Sequence, residues 1–310
     1  MDVRILDLDG AVTGQRDWVA HHAPVVIPMQ EWGPRIRICA SYPRYRRFAA
    51  AYAERCARTV DGPSITFCGS GDFHHVTVAL LEQLGEPFNV LHIDKHPDWV
   101  GYAPLVHCGT WVNHALRNPN LQRYVHVGAD LDLDNGFRHV APWRALRSGK
   151  ITTFPAVKRL SKGNWAAVPT QPLRVAPEQP FGPSRVDELC AGLRADLARV
   201  PLYVTIDKDV MRPDDAIVNW DSGRLTLDEV LSVVRWFVAA ANGRLAAMDV
   251  VGDWSVARTE GLLRGVLVKA EHPALAVTPG EAAEINGRTN RAIVDAVSAA
   301  IGARPGSAAA

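Results

Sequence analysis

Two short acidic segments, more than a hundred residues apart, could carry the chemistry of this chain. They read Asp94-Lys95-His96-Pro97-Asp98 and Asp207-Lys208-Asp209, and each ends an apolar run, residues 88–93 and 201–206. Apolar runs of this length are typical of buried parallel strands, and side chains two apart on an extended chain point the same way. Four carboxylates and an imidazole in one crevice would repel each other unless cations lay between them. The spacing therefore predicts a metal site, and the number of carboxylates favours two ions.

Imidazole and carboxylate ligands without thiolate suit Mn²⁺ first, with Fe²⁺, Co²⁺ and Zn²⁺ as alternatives. Two such ions, about 3.5–4 Å apart, lower the pKa of a shared water and hold it as hydroxide at neutral pH. The expected cofactor is two Mn²⁺ ions per chain, and the expected activity is hydrolysis by that hydroxide.

Three further segments add polar residues at strand ends. Gly71-Asp72-Phe73-His74-His75 follows a predicted strand and opens a predicted helix, so His74 should lie at the corner between them. His107-Cys108-Gly109 lies in the loop after the first acidic segment. A third segment, from Asp130 to Asp134, ends another predicted strand with alternating carboxylates.

In this order the segments resemble the ureohydrolase family of arginases and agmatinases. Its members carry Gly-Gly-Asp-His-Ser, Asp-x-His-x-Asp, His-Gly and Ser-x-Asp-x-Asp segments, and the match runs from about Ser64 to Val251. The resemblance implies His107 and Asp98 as catalytic residues, and a carboxylate such as Asp130 or Asp132 as a substrate contact. It also implies that the hydroxide hydrolyses a C–N bond in a guanidino, amidino or amide small molecule, and that the protein is a possible homo-oligomer. The implied metal ligands are His74, Asp94, His96, Asp98, Asp207 and Asp209.

One departure concerns the substrate. The family carries a Glu that holds the guanidinium of the substrate, in a segment where this chain reads Asp249-Val250-Val251-Gly252-Asp253. Gly252 occupies the Glu position, and Asp253 is the adjacent carboxylate that could replace it if the loop were rearranged. The sequence is thus interpreted as a divergent ureohydrolase-like member whose preferred substrate is less basic than arginine.

Two alternative functions come from other features. Asp7 and Asp9 end the first predicted strand and resemble the nucleophile motif of haloacid-dehalogenase-like phosphatases, although Ala11 stands where that motif carries Thr. The loss of the guanidinium-binding Glu would also fit a metal-binding, non-catalytic protein of the arginase fold. His92, inside an apolar run, is interpreted as a packed core histidine.

The composition fits a cytoplasmic protein. The net charge is +1 and the sequence pI about 7.8, so neither nucleic acid nor a membrane is expected as a partner. The five cysteines are scattered and contain no CxxC pair, which favours free thiols in a reducing compartment. No apolar stretch approaches the roughly 20 residues of a membrane span.

Strand-like and helix-like stretches alternate along the chain. This alternation predicts an α/β fold with three αβα layers around a mostly parallel, doubly wound sheet. Ligands of such sheets bind beyond the carboxyl ends of the strands, where both acidic segments fall. We expect a single arginase-like domain over residues 1–303, with a long irregular loop at about 155–183 and a disordered tail at 304–310.

Overall fold

The computed structural model describes residues 1–56, 62–101, 104–129, 140–156, 171–174 and 179–302. Eight strands form one parallel sheet in the order β2-β1-β4-β10-β9-β5-β7-β8, and two short strands, β3 and β6, form an antiparallel pair. The strands are β1 Asp2–Asp7, β2 Val25–Pro28, β3 Cys39–Ser41, β4 Ser64–Phe67, β5 Phe88–Ile93, β6 Leu105–His107, β7 Leu121–Val127, β8 Ile151–Phe154, β9 Leu202–Asp207 and β10 Leu245–Val251.

Helices cover both faces of the sheet. Their bounds are α1 Arg16–His22, α2 Gly33–Ile36, α3 Tyr42–Cys56, α4 Thr77–Leu81, α5 Trp111–Ala115, α6 Trp143–Arg147, α7 Pro183–Cys190, α8 Arg194–Leu197, α9 Leu227–Ala240, α10 Leu262–Glu271 and α11 Pro279–Gly302. Helices α1, α7, α8, α9 and α11 contribute to one hydrophobic core, and α3, α4, α5 and α6 contribute to a second core on the opposite face. The predicted three-layer, doubly wound fold is confirmed.

The two apolar runs that precede the acidic segments form central strands. Every residue of β5 and β9 is buried, as expected for strands covered by helices on both faces. These two strands pair directly, and β10 pairs with β9 on the other side. Because all strands of the sheet run parallel, the carboxyl ends of β4, β10, β9 and β5 meet at one edge. This edge is the one at which the sequence predicts the metal site.

One element differs from its prediction. The helix predicted from His74 starts as a 3₁₀ turn over Gly71–Val76 and becomes α-helical only at Thr77. Parts of the predicted irregular loop, residues 157–170 and 175–178, and the predicted tail lie outside the described residues. Within the described ranges, no helix combines the length and apolarity needed to cross a membrane.

Candidate metal centre

The imidazole of His74 lies among three carboxylates at the carboxyl edge of the sheet. Its Nδ1 is 3.1 Å from Asp94 Oδ2, 3.0 Å from Asp98 Oδ2 and 3.6 Å from Asp207 Oδ2. All four side chains are buried. They come from the 3₁₀ turn after β4, from the segment after β5 and from the end of β9. Thus three strand ends that are distant in sequence supply one compact group of nitrogen and oxygen donors.

A second group of donors shares one carboxylate with the first. His96 Nδ1 is 2.8 Å from Asp209 Oδ2 and 3.8 Å from Asp94 Oδ1. Asp94 therefore faces His74 with one oxygen and His96 with the other. His96 is the most exposed of these residues, with 37% of its side chain accessible, so the site opens to solvent on the His96 side. The six predicted ligands come together in this arrangement.

The electrostatics of the cluster favour a bound cation. Burial, together with the charge of Asp94, raises the pKa of Asp98 to about 7 and the pKa of Asp209 to about 6. Burial and the neighbouring carboxylates Asp209 and Asp94 also raise the pKa of Asp207 well above its usual value. A cation among these oxygens would relieve this repulsion and return each carboxylate to its ionised form.

The donor atoms also fit a metal. His74 Nδ1 is buried and makes no hydrogen bond of acceptable geometry, although three carboxylates surround it. An orphaned imidazole nitrogen that faces oxygens from several directions is the arrangement that a divalent ion would satisfy. The set of imidazole and carboxylate donors suits a borderline or hard divalent metal such as Mn²⁺. The buried His and Asp groups are therefore suited to hold metal.

The rest of the His74 ring is oriented by a chain of hydrogen bonds. Its Nε2 lies 3.0 Å from Thr205 Oγ1, and that hydroxyl donates to Asp249 Oδ1 at 2.8 Å. Metal-binding histidines usually donate their second ring N–H to such a partner, which fixes the tautomer and the ring orientation. Thr205 and Asp249 lie on the adjacent strands β9 and β10, so the sheet itself holds the imidazole in place.

His92 has a role that its sequence position alone did not reveal. It was interpreted as a packed core histidine, but its Nε2 lies 2.8 Å from Asp94 Oδ2, and its Nδ1 lies 2.6 Å from the hydroxyl of Tyr124. Burial lowers the pKa of His92 to about 4, so the ring is neutral at pH 7. His92 lies two residues before Asp94, so both side chains point to the same face of the extended chain, and this spacing could have predicted their contact.

Asp98 is held in an uncommon backbone conformation. Its φ is +48°, a left-handed value that residues other than glycine rarely adopt. The indole Nε1 of Trp111 donates to Asp98 Oδ2 at 2.8 Å and fixes the carboxylate beside His74. Such strain persists only where the surroundings determine the conformation, and it is concentrated at functional sites.

Comparisons with known proteins agree with this geometry. No family model matches the chain. An uncharacterized protein from Thermotoga maritima is 22% identical over 222 residues, which are 70% of this chain and 71% of that protein. Formimidoylglutamase from Bacillus subtilis is 11% identical, with a TM-score of 0.56 over 97% of this chain and 86% of the enzyme. Arginase from Bacillus subtilis is 14% identical, with a TM-score of 0.53 over 98% of this chain and 99% of the enzyme.

This chain has the arginase fold. The low identities mark it as a divergent member among structural neighbours of this fold. The likeness covers nearly the whole chain, whereas the sequence segments that suggested it are short. The arginase fold thus accounts for the position of the donor cluster at the carboxyl ends of the central strands.

His107 lies beside the cluster without belonging to either donor group of the described residues. Its Nδ1 accepts a hydrogen bond from the backbone N–H of Gly109 at 2.9 Å, so in the neutral ring the proton is on Nε2. Burial lowers the pKa of His107 to about 4, while nearby Asp72 acts in the opposite direction.

Gly252 and Asp253 stand where other proteins of the arginase fold were expected to carry the guanidinium-binding Glu. Gly252 has φ +93°, and an added Cβ would lie 2.6 Å from Asp207 Oδ1 and from the backbone nitrogen of Lys208. Asp253 is fully buried, and its Oδ1 accepts from the ammonium of Lys208 at 2.7 Å. The carboxylate expected to contact substrate is therefore paired with a cation of the chain, and this arrangement gives no support to that role.

Two other predicted sites have different outcomes. Asp130 and Asp132, the carboxylates expected to contact substrate, lie outside the described residues. Asp7 and Asp9 are the basis of the phosphatase alternative. Asp7 ends β1 and Asp9 follows it, and strands β4 and β10 lie between β1 and β9. Asp9 accepts from the buried Arg37 Nη2 at 3.2 Å and from the Ser255 hydroxyl at 2.6 Å. In the arginase fold these contacts give Asp9 a structural role in holding the loop after β10.

Proposed function

We propose that this protein is a metal-dependent hydrolase of C–N bonds in a small guanidino, amidino or amide compound. Two divalent cations, Mn²⁺ by preference, would be held by the six clustered side chains. The observation that carries the proposal is the convergence of three buried carboxylates on the orphaned Nδ1 of His74. The arginase fold supports the same class of reaction, since neighbours of this fold are named arginase and formimidoylglutamase.

The bound cations would supply Lewis acidity, which polarises the substrate and makes a water nucleophilic at neutral pH. The chain's own residues would do the rest. Asp94 would bridge the two donor groups, because its two oxygens face His74 and His96. Trp111 would hold Asp98 in place through its indole N–H. His107 would carry a proton towards the leaving nitrogen, since its Nε2 is the ring nitrogen not used by Gly109.

The preferred substrate would be less basic than arginine. Gly252 provides no carboxylate, and Asp253 is already paired with Lys208. A guanidinium would thus lack a charge-assisted hydrogen bond that is worth roughly 1.5–3 kcal/mol, or one to two powers of ten in affinity. An amidine such as a formimidoyl compound, or a substituted guanidine, depends less on this contact.

Metal content and turnover would be measured together to test the proposal. Protein loaded with Mn²⁺ should contain two equivalents per chain, and Asp94→Ala and Asp209→Ala should each lower that number. Asp187→Ala, which removes a carboxylate that is 54% exposed on helix α7, is the matched control and should keep both ions. Wild-type stoichiometry in both ligand variants would refute the site.

Turnover would then be assayed with arginine, agmatine, 4-guanidinobutyrate and N-formimidoyl-glutamate. The proposal expects release of urea or formamide from at least one compound, with arginine among the poorest. Full metal occupancy without hydrolysis of any compound would favour the alternative of a metal-binding, non-catalytic protein. Efficient arginine hydrolysis by the wild type would show that the missing Glu does not determine substrate choice.

A further inference from the structure

Trp220 lies on the open side of the donor cluster, in the loop that connects β9 to α9. The residue before it is anchored, because Asn219 Nδ2 donates to the backbone oxygen of Ser255 at 2.9 Å. The residue after it is anchored as well, because the Asp221 carboxylate pairs with the ammonium of Lys95. The indole is therefore held from both sides in a fixed position next to the metal-ligand segments.

One edge of the indole is pinned beside the cluster. The Nε1 of Trp220 donates to Asp72 Oδ1 at 3.0 Å. Its Cδ1 faces Gly71, where an added Cβ would lie 3.3 Å from Cδ1 and 2.7 Å from Asp207 Oδ2. Glycine at position 71 thus lets an aromatic ring and a ligand carboxylate approach the same backbone atom. Trp220 also packs against the small apolar cluster of Ile38, Cys39 and Cys108, and its side chain remains half-buried.

Two imidazole rings border the same indole. The ring of His96 lies 5.9 Å from the Trp220 ring at an angle of 62°, and the ring of His272 lies 5.8 Å away at 70°. His96 is the candidate ligand that faces solvent, and Trp220 is only half-buried. An aromatic wall, formed by His96, Trp220 and His272, therefore extends from the donor cluster towards the solvent.

The carboxylates beside this wall are occupied by side chains of the protein. Asp72 Oδ1 accepts from Trp220 and also lies 2.8 Å from His272 Nε2, while its Oδ2 accepts from the buried Arg37 at 2.6 Å. Asp221 pairs with Lys95. A planar cation that entered here would find its nearest carboxylates already neutralised, and the accessible indole surface would be its main partner.

We propose that Trp220 is the specificity-determining residue of this site. Its indole would form the surface on which the planar, delocalised C–N group of the substrate lies, in place of the carboxylate that Gly252 cannot supply. An indole attracts a delocalised cation to its face and stacks well on neutral planar groups. The wall thus selects amidines, guanidines and similar flat groups over tetrahedral ammonium groups. This inference rests on the proposed function for the identity of the reacting group.

Binding to metal-loaded protein would test the inference without relying on turnover. Calorimetry would compare 4-guanidinobutyrate with 6-aminohexanoate, an ammonium compound of similar length, in wild type, Trp220→Phe and Trp220→Leu. Loss of the indole in Trp220→Leu should weaken binding of the guanidino compound by about 2- to 30-fold, the scale of a cation–π contact. Binding of 6-aminohexanoate should change less than twofold, and the Mn²⁺ content should remain that of the wild type.

The inference would be overturned if wild type and Trp220→Leu, at equal metal content, bound the guanidino compound with equal affinity. It would also be overturned if the wild type bound neither compound at millimolar concentration. If Trp220→Leu lost its metal, the tryptophan fluorescence of the wild type would instead be compared with that of Trp220→Phe. The inference is supported if the guanidino compound quenches the emission of the wild type but not that of Trp220→Phe. Equal quenching in both proteins overturns it. Wild type that binds the guanidino compound through Trp220 but hydrolyses none of the four substrates would reject the proposed function and keep this inference.

Discussion

Removal of the Asp253 carboxylate should destabilise the protein far more than removal of an exposed charge. Asp253 has no exposed surface, and its Oδ1 accepts from Lys208 Nζ at 2.7 Å, from Gln15 Nε2 at 2.6 Å and from Asn290 Nδ2 at 3.2 Å. In Asp253→Ala the Lys208 ammonium would stay buried, with Asn290 Oδ1 at 3.0 Å as a neutral acceptor. The variant would therefore contain an uncompensated cation in the protein interior.

Removing one partner of a buried ion pair costs roughly 3–5 kcal/mol. The donors of Gln15 and Asn290 would also lose an acceptor, at about 1–3 kcal/mol for each unsatisfied group, but contributions within one network do not add. We therefore expect the free energy of unfolding to fall by about 4 kcal/mol. Since Lys208 lies between the proposed ligands Asp207 and Asp209, the variant should also bind Mn²⁺ more weakly.

Urea denaturation of the metal-free protein at pH 7 would measure this loss. Asp221→Ala is the reference, because it breaks an ion pair whose carboxylate is 64% exposed and should cost about 0–1 kcal/mol. The double variant Lys208→Met/Asp253→Leu should recover most of the stability, because apolar side chains replace a buried pair at little cost. A loss in Asp253→Ala no larger than in Asp221→Ala would refute the reasoning.

Three other substitutions have defined outcomes. His107→Asn should keep the metal but lower kcat by about 10²–10⁴, and metal loss would place His107 among the ligands. His126→Asn should reduce the acid sensitivity of stability. Burial lowers the pKa of His126 to about 3. Below pH 6.5 the unfolded chain therefore binds more protons than the folded protein, and the free energy of unfolding decreases as the pH is lowered. When the pH is lowered from 7 to 5, the free energy of unfolding, measured by urea denaturation, should decrease by about 2 kcal/mol more in the wild type than in this variant. Gly252→Ala should lower the melting temperature, because φ +93° and the contact with Asp207 leave no room for a Cβ; an unchanged melting temperature would contradict this.

Local patterns were sufficient to predict the central strands and the side chains that meet at their carboxyl ends. The apolar runs before Asp94 and Asp207 predicted β5 and β9, and the alternation of side chains along them predicted which carboxylates share a face. The strand β2 was not predicted, because it is only four residues long and its apolar run lies between Pro24 and Pro28, and proline is uncommon inside strands. Helix α10 was also missed; it is short, and none of its residues is buried.

The pairing of Asp253 with Lys208 could not be predicted from the sequence. Its partners Gln15, Lys208 and Asn290 come from three distant parts of the chain, and only the folded structure brings them together. A local pattern shows that a carboxylate is available, but it does not show whether a buried cation of the same protein has already paired with it. The same holds for Trp220, whose neighbours are set by a long loop instead of by a periodic element.

The position of β10 has a consequence for how the protein is made. This strand is the last of the sheet in the sequence, yet it lies in the middle, between β4 and β9. During synthesis β5 and β9 can pair as soon as both have emerged, but β4 has no partner on its inner side until residues 245–251 are available. Pairings this distant in sequence form slowly, since the chain must close long loops before any contact stabilises them. The nascent chain therefore exposes an unpaired apolar edge of β4 for most of its translation. His74, which follows β4, can join the other proposed ligands only when the C-terminal part of the chain has been translated.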